Sequence, residues 1–193
     1  MPADMRPTIV ALAGRRIDAD GAKAVRFPFA NVPAVRKALG ETFDRLAPSL
    51  LVASAACGAD LIALEAAAER DIPSRIVLPF EPARFRTTSV VDRPGPEFWG
   101  KLYDDMIARA QARGGLIVLT PSEDGGGAYM AANDAIVATA GAAAPAGTRR
   151  VAVIAWEGAP RGDGDATKQF ADVAERNGFT VLAISTMDPQ PVG

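Results

Sequence analysis

A short apolar segment near the start of the chain decides the fold. Residues 8–14 read Thr-Ile-Val-Ala-Leu-Ala-Gly, a continuous apolar run that ends at a glycine. A run of this length without polar alternation is typical of a strand buried on both faces of a parallel sheet. A helical pattern follows, in which Asn31 can cap the helix, Pro33 lies in the first turn and Pro48 ends it. The segment therefore predicts the first strand and helix of a βαβ unit.

The same alternation continues along the rest of the chain. Further strands are predicted at residues 50–53, 76–78, 116–119, 150–156 and 181–184. Helical patterns lie between them and begin near Gly58, Trp99, Gly127 and Ala166, whereas the Arg- and Pro-rich stretch 81–96 is predicted to be irregular. Strands that alternate with helices require crossover connections, and hence a mainly parallel sheet with helices on both faces. We expect an α/β fold, a single three-layer Rossmann-like domain over residues 1–193 with about six strands and a loose tail at 187–193.

Composition excludes several kinds of chemistry. The 193 residues include 21 Lys+Arg, 23 Asp+Glu, 0 His and 1 Cys, with a net charge of -2. Without histidine there is no Ser-His-Asp triad and no His-ligated zinc, and a lone cysteine forms no internal disulfide, which suits a reducing cytoplasm. The balanced charge argues against a nucleic-acid partner, and no apolar run approaches the roughly 18 residues of a membrane span. We expect a cytoplasmic protein without a membrane partner that uses carboxylates, arginines, hydroxyls or backbone amides.

In doubly wound sheets, ligands bind beyond the carboxyl ends of the strands, so the residues after each apolar run are the candidates. Gly14, Arg15 and Arg16 follow the first run, and Arg26 comes soon after. Adjacent arginines can contact phosphate oxygens, although a tight turn with solvated cations is the alternative. Neither the Gly-rich dinucleotide fingerprint nor a phosphate-binding loop with lysine is present, which argues against NAD-linked hydride transfer and P-loop ATP hydrolysis.

The second run is followed by a turn that leads directly into a helix. Ser54 begins this turn, and Gly58, Ala59 and Asp60 end it. The free amides at such a helix start form a potential anion site. Asp60 is equally consistent with a ligand contact and with a plain helix cap.

Further candidates follow the third and fifth runs. Pro79 and Glu81 come after the third, where Glu81 either accepts hydrogen bonds from a ribose or is simply solvated. Trp156 and Gly158 close the fifth run, and a glycine-rich stretch then enters the last helix with a second set of amides suited to phosphate. That stretch contributes Gly162, Gly164, Asp165 and Thr167.

Two further groups have competing interpretations. Tyr129 and Asn133 lie four residues apart on one helical face, where they reach a base or ribose or else pack in the core. Glu157, Asp163 and Asp165 are close in sequence and suggest a divalent cation, but they lack the fixed alternation of a calcium-binding loop. No metal site is therefore predicted.

The order of these motifs resembles the SLOG superfamily, which includes the cytokinin-activating LOG proteins, the DNA-processing protein A group, and sensor domains in channels and bacterial conflict systems. The resemblance extends from about Ile9 to Ile184. It rests on Gly-Arg-Arg at 14–16, Arg-Phe-Pro at 26–28, Ser-Ala-Ala-Cys-Gly-Ala-Asp-Leu-Ile-Ala-Leu-Glu at 54–65, and Val-Leu-Pro-Phe at 77–80. It implies a Rossmann-like sheet with a pocket at the ends of the first, second and fifth strands and the start of the last helix. It also implies a nucleotide or nucleotide-derived ligand.

The sequence departs from that superfamily at two places. Close relatives carry a histidine between the glycine and the arginine after the first strand, where Arg15 stands here. The LOG enzymes have a Pro-Gly-Gly-x-Gly-Thr turn and then a glutamate that serves in cleavage of the N-glycosidic bond. The matching turn here is Gly-Asp-Gly-Asp-Ala-Thr at 162–167, and Lys168 follows it. Both departures favour binding over catalysis.

The leading hypothesis is a nucleotide-binding or nucleotide-sensing module for an ADP-ribose-, NAD- or AMP-like ligand, with little or no catalysis and no other cofactor. Arg15, Arg16 and the amides around Gly58 and Gly164 are predicted to bind phosphates. Asp60 and Glu81 are predicted to bind the ribose hydroxyls, and Trp156 or Tyr129 is predicted to stack on the base.

Three alternatives stay open at this point. The first is a LOG-like nucleoside-monophosphate phosphoribohydrolase, or a related N-glycosidase, whose carboxylate is Asp60, Glu65 or Glu157. The second is a DNA-binding relative of the DNA-processing protein A group. The third is an assembly module with a vestigial pocket, in which the Ala/Gly-rich helix 131–144 packs closely against another helix, within the domain or across a homodimer. A separate effector protein is the other possible partner.

Overall fold

The sheet has the predicted class and strand number. The computed structural model describes residues 6–120 and 126–193, and in these residues it contains one sheet of six parallel strands. The strands are β1 Thr8–Gly14, β2 Pro48–Ala53, β3 Ser74–Leu78, β4 Leu116–Val118, β5 Arg149–Trp156 and β6 Thr180–Ser185. The predicted α/β, Rossmann-like fold is therefore confirmed.

Six α-helices connect the strands in the described part of the chain: α1 Val32–Leu46, α2 Ala59–Ala68, α3 Pro82–Ser89, α4 Pro96–Ala112, α5 Gly126–Ala142 and α6 Ala166–Arg176. The prediction of an irregular stretch at 81–96 is wrong, because α3 occupies its first half. Pro82 stands in the first turn, where a missing N–H breaks no helical hydrogen bond, and the buried Phe85 anchors the helix in the core. None of the helices in residues 6–120 and 126–193 is long and apolar enough to cross a membrane.

In the strand order β4-β3-β2-β1-β5-β6, the side of the sheet to which successive strands are added changes at β1, although all strands are parallel. The chain builds the sheet outwards from β1 to β4 and then crosses by α5 to β5, which pairs with the free side of β1. The carboxyl ends of β1 and β5 therefore flank the point at which a doubly wound sheet opens a crevice.

Two apolar cores cover the faces of the sheet. Along β1, Val10 and Leu12 pack into the core that contains α1, α2 and α4, whereas Ile9 and Ala11 pack into the core that contains α5 and α6. β1 is consequently buried on both faces, which explains its continuous apolar sequence.

The end of β1 packs tightly against its neighbours. A Cβ atom at Gly14 would lie 2.5 Å from the Cβ atom of Ala59 and 2.6 Å from the carbonyl oxygen of Ala155. Glycine therefore lets β1, β5 and the start of α2 converge, and this convergence forms the floor of the crevice.

Residues 187–193 contain no helix or strand, yet they contact α1. The backbone N–H of Val192 donates to the hydroxyl of Thr42 at 2.9 Å, and the Arg45 guanidinium donates to the carbonyl of Pro191 at 3.3 Å. The last residues of the sequence therefore lie along this helix.

Candidate functional site

A cleft of about 470 Å³ opens beside the carboxyl ends of β1 and β2. Its walls come from the segment after β1, the turn between β2 and α2, the region of α3, the first turns of α5, and the start of α6. This volume lies in the range of small-molecule sites, and the position is the one that the strand order predicts.

The cleft collects most of the predicted ligand-binding residues, from five separate stretches of sequence. Ten of the eighteen line it: Gly14, Arg15, Arg16, Arg26, Ser54, Asp60, Tyr129, Asn133, Gly164 and Thr167. The other eight are outside its described lining: Gly58, Ala59, Pro79, Glu81, Trp156, Gly158, Gly162 and Asp165. Of these, Pro79 is buried just after β3, and Glu81 is exposed at the start of α3.

Arg15 is buried, at 3% exposure, and uses every N–H of its guanidinium inside the protein. Nε donates to Glu157 at 2.5 Å, and Nη2 donates to Glu157 at 3.1 Å and to the carbonyl of Ala159 at 2.9 Å. Nη1 donates to Asp165 at 2.7 Å and to the Thr167 hydroxyl at 3.2 Å. Because a guanidinium has five N–H bonds, none is left for a phosphate. Arg15 instead holds the segment 157–167 against the end of β1, which differs from its predicted role.

The two carboxylates that bind Arg15 are held in the ionised state. Burial opposes ionisation of Asp165, but hydrogen bonds from Arg15 and from backbone amides hold its pKa well below the usual range. Burial likewise opposes ionisation of Glu157, whereas hydrogen bonds from Arg15 and Arg26 lower its pKa. Trp156 lies beneath this cluster, with its ring centre 5.7 Å from the guanidinium carbon of Arg15. It therefore supports the ion pairs, and it lies outside the described lining of the cleft.

Asp165 also satisfies the start of α6. Its carboxylate accepts hydrogen bonds from the backbone N–H groups of Arg161 at 2.6 Å, Thr167 at 2.9 Å and Lys168 at 3.3 Å. This is ordinary N-terminal capping by aspartate. These three amides are therefore taken by the protein's own carboxylate and are not free for a phosphate.

The predicted anion site at the start of α2 is closed in a different way. The N–H of Ala59 donates to the carbonyl of Arg15 at 3.1 Å, and the N–H of Ile17 donates to the carbonyl of Cys57 at 3.2 Å. Gly58 has a φ of 114°, and a Cβ atom there would lie 2.6 Å from the Arg15 carbonyl oxygen. Glycine thus allows the chain after β1 to cross directly over this helix end, and the Ala59 amide is not free for a ligand.

Asp60 lines the cleft from the first turn of α2 and is only 7% exposed. Its Oδ2 atom accepts the backbone N–H of Ala56 at 3.2 Å, whereas its Oδ1 atom is buried and has no hydrogen-bond partner among the described residues. Burial raises the pKa of Asp60 to about 7, although the amides of Ala56 and Gly14 and the charge of Arg16 act in the opposite direction. Asp60 is not a plain cap, because no side chain caps α2.

Two arginines that line the cleft also have unused hydrogen-bonding capacity. Arg16 pairs with Asp92 through Nη2, and its buried Nε has no hydrogen-bond partner. The Nε of Arg93 is likewise buried without a hydrogen bond, 3.7 Å from Asp92. Arg93 and Asp92 were not predicted site residues, because their stretch was interpreted as irregular; its richness in arginine was the available clue.

Tyr129 and Asn133 line the cleft from α5 with polar groups that already have partners. The Tyr129 hydroxyl lies 2.8 Å from the Ser89 hydroxyl. The Asn133 amide donates to the Ala166 carbonyl at 2.8 Å and to the Gln169 side chain at 3.0 Å. Asn133 therefore ties α5 to α6 and fixes the width of the cleft at this side.

Only one of the three carboxylates considered for catalysis lines the cleft, and that one is Asp60. Glu65 pairs with Arg36 of α1, and Glu157 is bound to Arg15 and Arg26. The described residues contain no group of three or more Cys, Asp or Glu side chains that could hold a metal ion.

The sequence matches no protein-family model and no curated protein. Its fold is similar to that of DNA processing protein A from Streptococcus pneumoniae, with a TM-score of 0.51 and 19% identity over 93% of this chain and 50% of that chain. It is also similar to DNA processing protein A from Helicobacter pylori, a protein with a single-stranded DNA binding mode, with a TM-score of 0.54 and 17% identity over 97% of this chain and 68% of that chain. The chain thus spans half the length of the first of these proteins. At these identities the likeness shows the Rossmann-like fold alone.

Proposed function

We propose that the cleft binds a nucleotide or a nucleotide-derived anion and that binding, with little or no catalysis, is the function of this chain. One observation carries the proposal: Arg16 Nε, Arg93 Nε and Asp60 Oδ1 are buried without a hydrogen bond, and all three residues line the same cleft. A buried polar atom without a partner costs about 1–3 kcal/mol, so a polar ligand that supplies partners gains affinity.

Charge and size support an anion of nucleotide dimensions. The described lining contains five arginines and two aspartates, and the cleft holds about 470 Å³. Since Arg15 is used internally, we assign the phosphate contacts to Arg16 and Arg93, with Arg26 and Arg161 at the mouth of the cleft. Small and apolar side chains complete the lining and suit a base; they include Ala19, Ala22, Ala24, Met130, Ala132 and Ile136.

Calorimetric titration with AMP, ADP-ribose, NAD and inorganic phosphate tests this proposal. We expect at least one nucleotide to bind and Arg16→Gln to weaken it about tenfold or more, because a charge-assisted hydrogen bond is lost. Arg75→Gln is the matched control. Arg75 is exposed near the amino-terminal end of β3, whereas the cleft lies at the carboxyl ends of the strands. The proposal fails if no nucleotide binds at millimolar concentration or if both variants behave alike.

Single-stranded DNA is the second candidate ligand. The balanced net charge argued against nucleic acid, but the fold likeness to DNA processing protein A weakens that argument, because local arginines rather than net charge decide phosphate contacts. Fluorescence anisotropy with an oligothymidylate separates the two candidates. Binding that falls steeply with salt and depends on Arg16 favours DNA, whereas tighter binding of a mononucleotide than of the oligonucleotide rejects it.

A further inference from the structure

Asp60 forms no ion pair in the described part of the chain, whereas the acidic groups just outside the lining of the cleft do. Asp18, the other aspartate of the lining, has both carboxylate oxygens hydrogen-bonded to backbone amides. The carboxylates of Glu157 and Asp165 are paired with Arg15, and Asp92 is paired with Arg16. The Oδ2 of Asp60 accepts a hydrogen bond from the Ala56 amide, the Gly14 amide also favours the ionised carboxylate, and its buried Oδ1 has no hydrogen-bond partner among the described residues. A buried carboxylate without an ion pair is strongly disfavoured relative to the neutral acid.

A neutral Asp60 changes what the cleft can recognise. Its proton would reside on Oδ1, since Oδ2 already accepts a hydrogen bond. Oδ1–H, Arg16 Nε–H and Arg93 Nε–H are then three unsatisfied donors on residues that line one cleft. Three donors require a ligand group that consists of acceptors, and a phosphate oxygen cluster is such a group.

We propose that Asp60 binds the ligand as a neutral carboxylic acid and donates a hydrogen bond from Oδ1 to a phosphate oxygen, so that binding of the anion takes up a proton wherever Asp60 is ionised in the free protein. This inference rests on the proposed function and makes it more specific. It assigns Asp60 to the phosphate, in contrast to the ribose hydroxyl that the sequence suggested. A pKa near neutrality agrees with it, because the proton is then available at physiological pH.

Asp60 is the group in the cleft whose protonation we expect to change when the ligand binds. Arginine stays protonated in proteins, so the arginines of the cleft attract an anion equally at every pH tested. Asp18 accepts hydrogen bonds from the backbone N–H groups of Arg26 and Phe27, and Tyr129 is bonded to Ser89. The charged and titratable groups around Asp60 are Arg15, Arg16, Asp18 and Arg26 between β1 and α1, Cys57 before α2, Asp92 and Arg93 between α3 and α4, Tyr129 on α5, and Arg161 before α6.

ADP-ribose is the suitable probe, because its pyrophosphate diester keeps a constant charge from pH 6 to pH 9. Calorimetry at pH 8 in two buffers of different ionisation enthalpy measures the protons taken up on binding. We expect an uptake close to one proton, and an affinity that falls about tenfold per pH unit above pH 7. In Asp60→Asn, whose amide also donates, binding should persist without proton uptake. Asp20→Asn, at an exposed position after β1, should keep the wild-type pH dependence.

Two results would overturn the inference and leave the proposed function standing. One is binding of ADP-ribose without proton uptake, and the other is binding that tightens as pH rises, which would mean that an ionised Asp60 accepts a hydrogen bond from a hydroxyl. Carbon-13 NMR of the Asp60 carboxyl in the free protein gives a test that needs no ligand. Titration near neutral pH is expected, and titration near pH 4 refutes the neutral acid whether or not ADP-ribose binds.

Discussion

Replacement of Asp60 by asparagine should stabilise the protein by an amount that grows with pH. Burial raises the pKa of Asp60 to about 7 from an ordinary value of 3.8. The folded protein therefore holds this proton more tightly than the unfolded chain does. The stabilisation that comes from this tighter proton binding is fully present below about pH 4 and is lost as the pH rises to about 7. Asparagine has the same shape and no proton to lose, so the variant avoids that loss.

The magnitude follows from the two pKa values. Each pH unit between them costs about 1.4 kcal/mol, so the full loss is about 4 kcal/mol. Part of this stabilising free energy is already lost at pH 5, and about 3 kcal/mol of it is lost between pH 5 and pH 8. Against a total stability of roughly 5–15 kcal/mol for a domain, such a difference is easily measured.

Urea unfolding followed by circular dichroism at pH 5 and pH 8 provides the assay. The unfolding free energy of Asp60→Asn minus that of the wild type should grow by about 3 kcal/mol between the two pH values. Asp20→Asn, the exposed control, should show a constant difference. A difference for Asp60→Asn that is independent of pH would mean that Asp60 is ionised in the folded protein. An asparagine variant that is the less stable one at pH 8 would mean that the charge has a stabilising partner.

Three further predictions follow from the contacts around the cleft. Arg15→Met should lower the unfolding free energy by about 3–5 kcal/mol, because Asp165 would lose its buried ion-pair partner and Glu157 would keep only Arg26. Gly14→Ala should cost about 1–3 kcal/mol in urea unfolding and weaken nucleotide binding, since the new methyl group would overlap Ala59. Incubation of the protein with AMP or NAD should release no free base by chromatography, because Asp60, the one candidate carboxylate in the described lining, would carry no charge as a neutral acid to stabilise an oxocarbenium-like transition state.

These predictions have separate controls and failures. Arg113→Met, at an exposed position just after α4, should leave stability unchanged within about 0.5 kcal/mol. If Arg15→Met lowers the unfolding free energy by no more than this amount, the ion pairs of Arg15 contribute little to stability. Gly141→Ala, where the structure has open space for the methyl group, is the control for Gly14→Ala, and equal effects would remove the argument from close packing. Release of base that disappears in Asp60→Asn would establish an N-glycosidase.

The fold was predictable because buried parallel strands leave a direct trace in the sequence. Each of the six strands is a short apolar run, and β1 has no polar alternation because both of its faces are covered. Helix α3 left no such trace, since only Phe85 and Ser89 of its eight residues are buried. One buried apolar residue in eight gives no periodicity from which a helix can be inferred.

The position of the cleft was predictable from strand order, but the roles of its residues were not. The general rule for doubly wound sheets places ligands at the reversal beside β1, and the cleft lies there. The partners of Arg15, in contrast, are about 140–150 positions away in the chain, so sequence spacing could not reveal that its N–H groups are already used. For the same reason, sequence spacing could not reveal that folding supplies acceptors for the amides of Ala59, Thr167 and Lys168 at the starts of α2 and α6.

The pairing of Arg15 also explains why the ligand contacts should lie on one side of the cleft. Arg15 directly follows β1 and is buried. Here its guanidinium closes the β5–α6 side of the crevice by pairing with Glu157 and Asp165. The unsatisfied polar atoms of the cleft then belong to Arg16, Arg93 and Asp60, on the side of α2 and α3. A ligand that bound mainly through the turn before α6 would have to displace two buried ion pairs, whereas one that binds at Arg16 and Asp60 satisfies atoms that have no partner.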